Sequence, residues 1–490
     1  MKKIKKFTIL HSNDMHGDFF SEVEKGNGKL IGGLALLSGY INKVRAEEKN
    51  VLYVIAGDMV QGSIIDTEYK GISTIEIMNY LAPDVVALGN HEFDYGLPHL
   101  LFLEKMANFP IVSANLYIKK YYKRLMQSHH IVKKDGFEIL FTGIITEKIM
   151  DALKQDELIG GLINLEDASR EIGKISNAYK NSDIDLSVVL THIGYESDLE
   201  LAKMLKPEWG IDMIIGGHSH TILEQPAKVN NILVTQAGVG TNQIGRFDIE
   251  VDDATNSIID SKWQLIAINN ELAEPDKKLI EFINTFKKKV DEKYSVIIGK
   301  TAEKLTHPKR EIETTLGNLM ADAVSDSLGV DVAFVGSGSI RSKELGPTVT
   351  MMDFMQCLPY DDSLNKFTVS GKTLRNIFCH IMRIENRDGE GECYQVSSGV
   401  EAIYDDNKKM LISLKINGDN VKDDQKYSVV FQGYHVNNAL QYLSVGVDEL
   451  SKADGLKVVS TSIQDVVEEY LRNNQNISEK IENRLVFKSQ

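Results

Sequence analysis

Short apolar runs recur along the first half of the chain, at 7–10, 51–56, 85–88, 111–114, 139–145, 186–190, 213–215 and 232–235, each closing on a polar or glycine-rich cluster. Runs of this length, rich in Val and Ile, predict strands buried on both faces. Between several of them apolar residues return at helical spacing, as in Leu34, Leu37, Ser38, Ile41 and Val44, or Ile72, Ile75, Met78 and Asn79. The alternation predicts a layered α/β domain around a buried sheet.

Glu274-Pro275-Asp276 then opens a charged segment, 277–294, whose Leu279, Ile280, Ile283, Phe286 and Val290 share one helical face. The spacing predicts a linker helix. Beyond residue 300 the pattern restarts. A helix carrying Leu316, Leu319, Met320, Ala323, Val324 and Leu328 ends at Gly329, a strand over 331–335 runs into a Gly-Ser-rich turn, and a helix closes the chain near 463–471. The division expected is a catalytic domain over 1–272, a linker over 273–298, and a mixed α+β domain over 299–490.

A length of 490 residues agrees with two domains. The balance of 55 basic and 70 acidic residues, a net charge of −15, disfavours a partner with a phosphate backbone, so a phosphate-handling site here needs a local cation. Three cysteines, Cys357, Cys379 and Cys393, imply free thiols and no disulfide framework. The basic start Met1-Lys2-Lys3 is followed by an apolar run too short for a signal peptide, and no stretch approaches the ~20 apolar residues of a membrane span. The expectation is a soluble cytoplasmic protein, monomer or homodimer, without a membrane or nucleic-acid polymer as partner.

The informative polar residues cluster where the predicted strands end. Asn13-Asp14-Met15-His16-Gly17 and Gly217-His218-Ser219-His220 each set two ligating side chains at i and i+2, on one face of an extended segment. Gly57-Asp58, Gly89-Asn90-His91-Glu92-Phe93-Asp94 and Thr191-His192 follow three other runs. Carboxyl ends of strands in an open α/β sheet line a common crevice, so segments far apart in sequence can converge there. Asp14, His16, Asp58, Asn90, His192, His218 and His220 supply seven nitrogen and oxygen ligands, too many for one tetrahedral ion and suited to two ions sharing a carboxylate. Imidazole and carboxylate without thiolate fit Mn, Zn, Fe or Co and do not choose among them. Two such ions ~3.5–4 Å apart clamp an in-line displacement at phosphorus and acidify a bound water. His91, beside a ligand, is free to face substrate, with Asp94 three residues on to orient the imidazole and keep it protonated.

Alone, each of these short motifs is more often a surface turn. Together and in this order they resemble the motif set of the calcineurin-like metallophosphoesterases. The fuller forms, with Ser113-Ala114-Asn115 and Gln236-Ala237-Gly238-Val239-Gly240, resemble the 5′-nucleotidase branch, which includes UDP-sugar hydrolases and 2′,3′-cyclic phosphodiesterases. The resemblance implies a four-layer sandwich of two β-sheets flanked by helices, and two divalent ions. One would be held by Asp14, His16, Asp58 and His220, the other by Asp58, Asn90, His192 and His218. It also implies hydrolysis of nucleotide phosphate esters, with His91 and Asp94 stabilising the charge that develops on the phosphoryl group and leaving oxygen, and Asn90 also meeting substrate.

In the second half, Leu316-Gly317-Asn318-Leu319, Gly338-Ser339-Ile340-Arg341 and Leu358-Pro359-Tyr360 are similar to the carboxy-terminal domain of 5′-nucleotidases. Arg341 offers a guanidinium fork to a phosphate. By the resemblance, Tyr360 and Tyr434 would sandwich a nucleobase. Three features depart from the family pattern: Gly336 stands where an Asn is usual, Asn437-Asn438-Ala439-Leu440 stands where a Gly-Gly-Asp-Gly is expected, and no Arg occurs near 326–331.

Overall fold

In the computed structural model, residues 4–24, 26, 28–118, 121, 123–146, 164–387, 392–453 and 455–488 are described. Two compact units divide at Val290/Asp291, within the helix Lys277–Tyr294. Most of that helix therefore belongs to the first unit, where Leu279, Ile283 and Val290 are buried.

The first unit holds two six-stranded sheets. In one, strands Ile4–Ser12, Val51–Ala56, Val85–Ala87 and Ile111–Val112 run parallel. In the other, Phe137–Ile145, Leu186–His192, Met213–Ile215 and Ile232–Thr235 do the same. Each sheet is extended by antiparallel strands at its edge. Alternate residues of the two sheets meet in one apolar layer: Phe7, Ile9, Val54 and Val85 pack with Phe141, Val188, Leu190 and Met213. The opposite face of the second sheet, through Leu140, Ile144, Val189 and Ile214, is covered by helices Leu165–Ala178 and Tyr195–Met204. Helix Leu34–Glu47 lies against Val51–Ala56 of the first sheet. The architecture is the expected α/β sandwich. Among the described residues no helix is long and apolar enough to cross a membrane.

Every apolar run read from the sequence overlaps a strand, the runs at 85–88 and 111–114 only in part, but the antiparallel pair Gln243–Asp252 and Ser257–Ala267 is not among the expected elements. Arg246, Asp248 and Glu250 alternate with buried Phe247, Ile249 and Val251 in the first of these strands. A one-sided strand has no continuous apolar run to find.

The second unit is mixed α+β. Its five-stranded sheet runs Tyr394–Val396, Val332–Gly336, Lys426–Gln432, Leu364–Ser370, Lys457–Ser460 in spatial order. Helix Thr315–Leu328 starts at Thr314, whose side chain accepts the Gly317 amide at 3.0 Å, and stops at left-handed Gly329. Its buried face packs with Val335, Phe354 and the closing helix Ile463–Asn473.

Candidate active site

The ends of five parallel strands, drawn from both sheets of the first unit, deliver the metal-ligand candidates. Ile4–Ser12 leads into Asp14 and His16, Val51–Ala56 into Asp58, and Val85–Ala87 into Asn90 and the turn His91–Phe93. Leu186–His192 ends on His192, and Met213–Ile215 leads into His218 and His220. Five of the seven, Asp14, His16, Asp58, His218 and His220, have left-handed backbone, with φ between 48° and 81°. A non-glycyl residue there costs on the order of 1 kcal/mol and persists only where the surroundings over-determine it.

The candidates converge. Asp14 Oδ1 lies 3.4 Å from His220 Nε2, 3.8 Å from His192 Nε2 and 3.9 Å from His16 Nε2. Asp58 Oδ2 lies 3.0 Å from His192 Nε2 and 3.9 Å from His16 Nε2. His218 Nδ1 sits 2.8 Å from Asn90 Oδ1, and the His218 amide donates to Asp14. His91 donates its amide to Asp58 Oδ1 at 2.9 Å and pairs its Nδ1 with Asp94 Oδ2 at 2.7 Å. All nine residues named from the sequence in this unit thus form one cluster.

The donor set fits a pair of cations. Asp14, His16 and His220 form one group with ligand atoms within 4.8 Å of one another, and Asp14, Asp58 and His192 form another. His192 Nδ1 is engaged by the Ala56 carbonyl at 2.8 Å, which turns Nε2 toward the carboxylates. That Nε2 is buried and, although close to Asp58, is out of line for a hydrogen bond. An orphaned ring nitrogen aimed at two buried carboxylates is what a metal ligand requires.

Electrostatics agree. Burial works against an ionised Asp58, but the His192 and His91 charges, with the His91 amide bond, outweigh it and hold the carboxyl down at about 2. Burial likewise opposes a charged His91, yet the hydrogen bond to Asp94 and the charges of Asp58, Asp94 and Glu92 hold this imidazole up at about 9. It is a cation at neutral pH.

Four supporting residues hold the candidates in place; Gly89, Glu92 and Gln236 lie within the quoted motifs and Asp198 does not. Glu92, buried, accepts the amides of Gly89 at 2.6 Å, Asp58 at 3.1 Å, Met59 at 2.7 Å and Val60 at 3.4 Å, binding two ligand loops together. Asp198 accepts Thr191 Oγ1 at 2.6 Å and Gln236 Nε2 at 3.0 Å, while Gln236 Nε2 also donates to the Gly217 carbonyl. A carboxylate on the buried face of Tyr195–Met204 is the one hint that could have found it. Gly89 is required by close approach, since a Cβ there would stand 2.1 Å from Asp58 Oδ1.

The other three predicted residues, Arg341, Tyr360 and Tyr434, lie in the second unit and line one cavity of about 570 Å³. The Arg341 guanidinium stands 5.9 Å from the Tyr360 ring centre, and both tyrosines are about half exposed. Arg310, which sequence reading missed, lines the same cavity. It precedes the helix Thr315–Leu328, whereas the family pattern directed attention to the segment after it.

Residues 7–221 match the calcineurin-like phosphoesterase family and residues 297–443 the 5′-nucleotidase C-terminal domain. The 5′-nucleotidase of Rattus norvegicus is 28% identical over 549 aligned positions, covering 98% of this chain and 90% of the rat protein. The endonuclease YhcR of Bacillus subtilis (strain 168) is 26% identical over 457, covering 87% of this chain but only 36% of that relative's length. In fold, the chain is similar to a 5′-nucleotidase precursor from Thermus thermophilus, with a TM-score of 0.70 at 23% identity, covering 99% of this chain and all of that one. The chain therefore belongs to the calcineurin-like metallophosphoesterases, in the branch that carries a 5′-nucleotidase C-terminal domain.

Proposed function

We propose that the protein hydrolyses phosphate monoesters of nucleotides, using two divalent cations of the Mn, Zn, Fe or Co type. The observation that carries this reading is the convergence of the Asp14, Asp58 and His192 ligand atoms within 4.8 Å of one another, with the His91 amide on Asp58 and the His91 ring paired with Asp94. Asp14, His16, Asp58 and His220 would hold one cation, and Asp58, Asn90, His192 and His218 the other. When bound, the cations supply Lewis-acid charge at phosphorus and an acidified water.

The chain's own residues do the rest. Asp94 occupies His91 Nδ1, which leaves Nε2 as the nitrogen able to meet substrate. Held protonated, His91 offers a positive hydrogen-bond donor to the phosphoryl oxygens and a proton to the leaving alkoxide. The buried floor of Asp14, Asp58 and His192 keeps bulk water from competing for the cations. In the second unit, Arg341 and Arg310 suit an anionic phosphate, and Tyr360 and Tyr434 suit a planar base.

The test is a panel of nucleoside monophosphates, sugar nucleotides and cyclic nucleotides assayed with Mn²⁺ and with chelator, alongside metal analysis of the same sample. Chelator-sensitive release of phosphate from the monophosphates is expected. Replacing His91 with Ala should lower kcat by about 10²–10⁴-fold with metal content unchanged. Unaltered turnover in that variant would remove His91 from the mechanism, and a preference for sugar nucleotides would move the reaction to the phosphodiester class.

A further inference from the structure

The cavity of the second unit contains a polar pair with no part in the reading above. His435, on the helix Gly433–Asn437, is 2% exposed, and its Nε2 lies 3.0 Å from Oε1 of Glu392, just before the strand Tyr394–Val396. Both residues line the cavity with Arg310, Arg341, Tyr360 and Tyr434. The pair sits against Gly336: a Cβ at that glycine would meet His435 Cε1 at 2.5 Å and Glu392 Oε1 at 3.0 Å. No side chain fits at 336 while the pair is in place.

The other imidazole nitrogen assigns the protons. Among the described residues His435 Nδ1 is buried without a hydrogen-bond partner, and the Tyr394 ring packs 4.8 Å from the imidazole between centroids. A proton on Nδ1 would be a buried donor with nothing to accept it, the costly case, whereas a bare lone pair loses less. The pair is therefore joined by the Nε2–H of His435 donating to Glu392. Glu392 is left as a carboxylate with one oxygen fixed by His435 and with 20% of its side chain open to the surroundings.

An ionised carboxylate only accepts hydrogen bonds. Set in a cavity with two exposed tyrosine rings for a planar group and two guanidinium groups for an anion, it calls for a ring edge that donates. We propose that Glu392, held in position by His435, is the specificity-determining acceptor of this cavity and selects nucleotides whose base carries an exocyclic amino group. The inference rests on the nucleotide reading above and adds to it the choice of base. Glu392 touches the base and His435 acts through Glu392, so the pair governs binding and leaves the chemical step alone.

The experiment is calorimetric titration of the full chain, kept metal-free with EDTA so that nothing is hydrolysed. The probes are AMP and purine riboside 5′-monophosphate, which differ only in the amino group. Wild type should bind AMP more tightly by about tenfold or more, the worth of a hydrogen bond to a charged acceptor. Glu392→Ala should bring AMP down to the analogue's affinity while leaving the analogue unchanged, which also reports that the variant is folded. His435→Phe should lose most of the discrimination, and His435→Gln, whose amide can still donate to Glu392, should regain it. Equal affinities in wild type, or an equal loss for both nucleotides in Glu392→Ala, would overturn the proposal and leave the nucleotide reading standing. Failure to bind either nucleotide would overturn both.

Discussion

The metal-ligand cluster and the tyrosine-lined cavity are built to different rules. In the first, the carboxylates are buried, five of the seven ligand candidates are held in left-handed backbone, and a single carboxylate, Glu92, receives amides from two loops. In the second, both tyrosines are half exposed, and Arg341 reaches the Gly338 carbonyl at a long 3.4 Å and the Tyr360 ring at 5.9 Å. A site that stabilises a transition state must be arranged before substrate arrives. A site that selects can take its final arrangement from the ligand, and selection is then spread over several weaker contacts.

That contrast can be broken most directly at Asp58. Asp58→Asn keeps the shape and removes the charge, and should reduce metal-dependent turnover by more than about 10³-fold with loss of bound metal, because both of the proposed cation sets include this residue. Retained metal and activity would mean that the cluster is not organised around the carboxylate. Arg341→Ala sharpens the other side: KM for nucleotides should rise about 10- to 100-fold, with kcat little altered and with p-nitrophenyl phosphate hydrolysed as before. A matching fall on the small ester would place Arg341 in the chemistry instead of in selection. Asp94→Asn should have the smallest effect at neutral pH. The raised value of His91 means that its protonated form is present below about 9 and is lost as pH rises through it. Removing the Asp94 charge should move the alkaline limb of the kcat profile to lower pH, and an unmoved limb would detach that limb from His91.

The ligand candidates were legible because each follows a buried parallel strand, so a local pattern of apolar run and polar cluster carries three-dimensional meaning. Asp14, Asp58 and His192 meet for that reason, although up to 178 residues separate them. The supporting bonds were not legible. Glu92 reaches back 34 residues to the Asp58 amide, Asp198 is joined to Gln236 across 38, and His435 to Glu392 across 43. No periodicity encodes pairings of this kind, since they depend on which loops the finished sheets bring side by side. The strand Gln243–Asp252 escaped for the complementary reason, its outward face being charged.

Glu92 has a bearing on how the protein is charged with metal in the first place. Its four amide bonds close the Asp58 and Asn90 loops with protein atoms alone. The proposed ions would therefore enter a socket already closed by protein atoms, in contrast to small metal-nucleated domains that unfold when stripped. Dialysis against chelator should silence the enzyme while leaving its melting transition nearly in place, and returning the ions should restore activity without a refolding lag. A standing stock of idle, intact protein would then have an output that follows the supply of free metal.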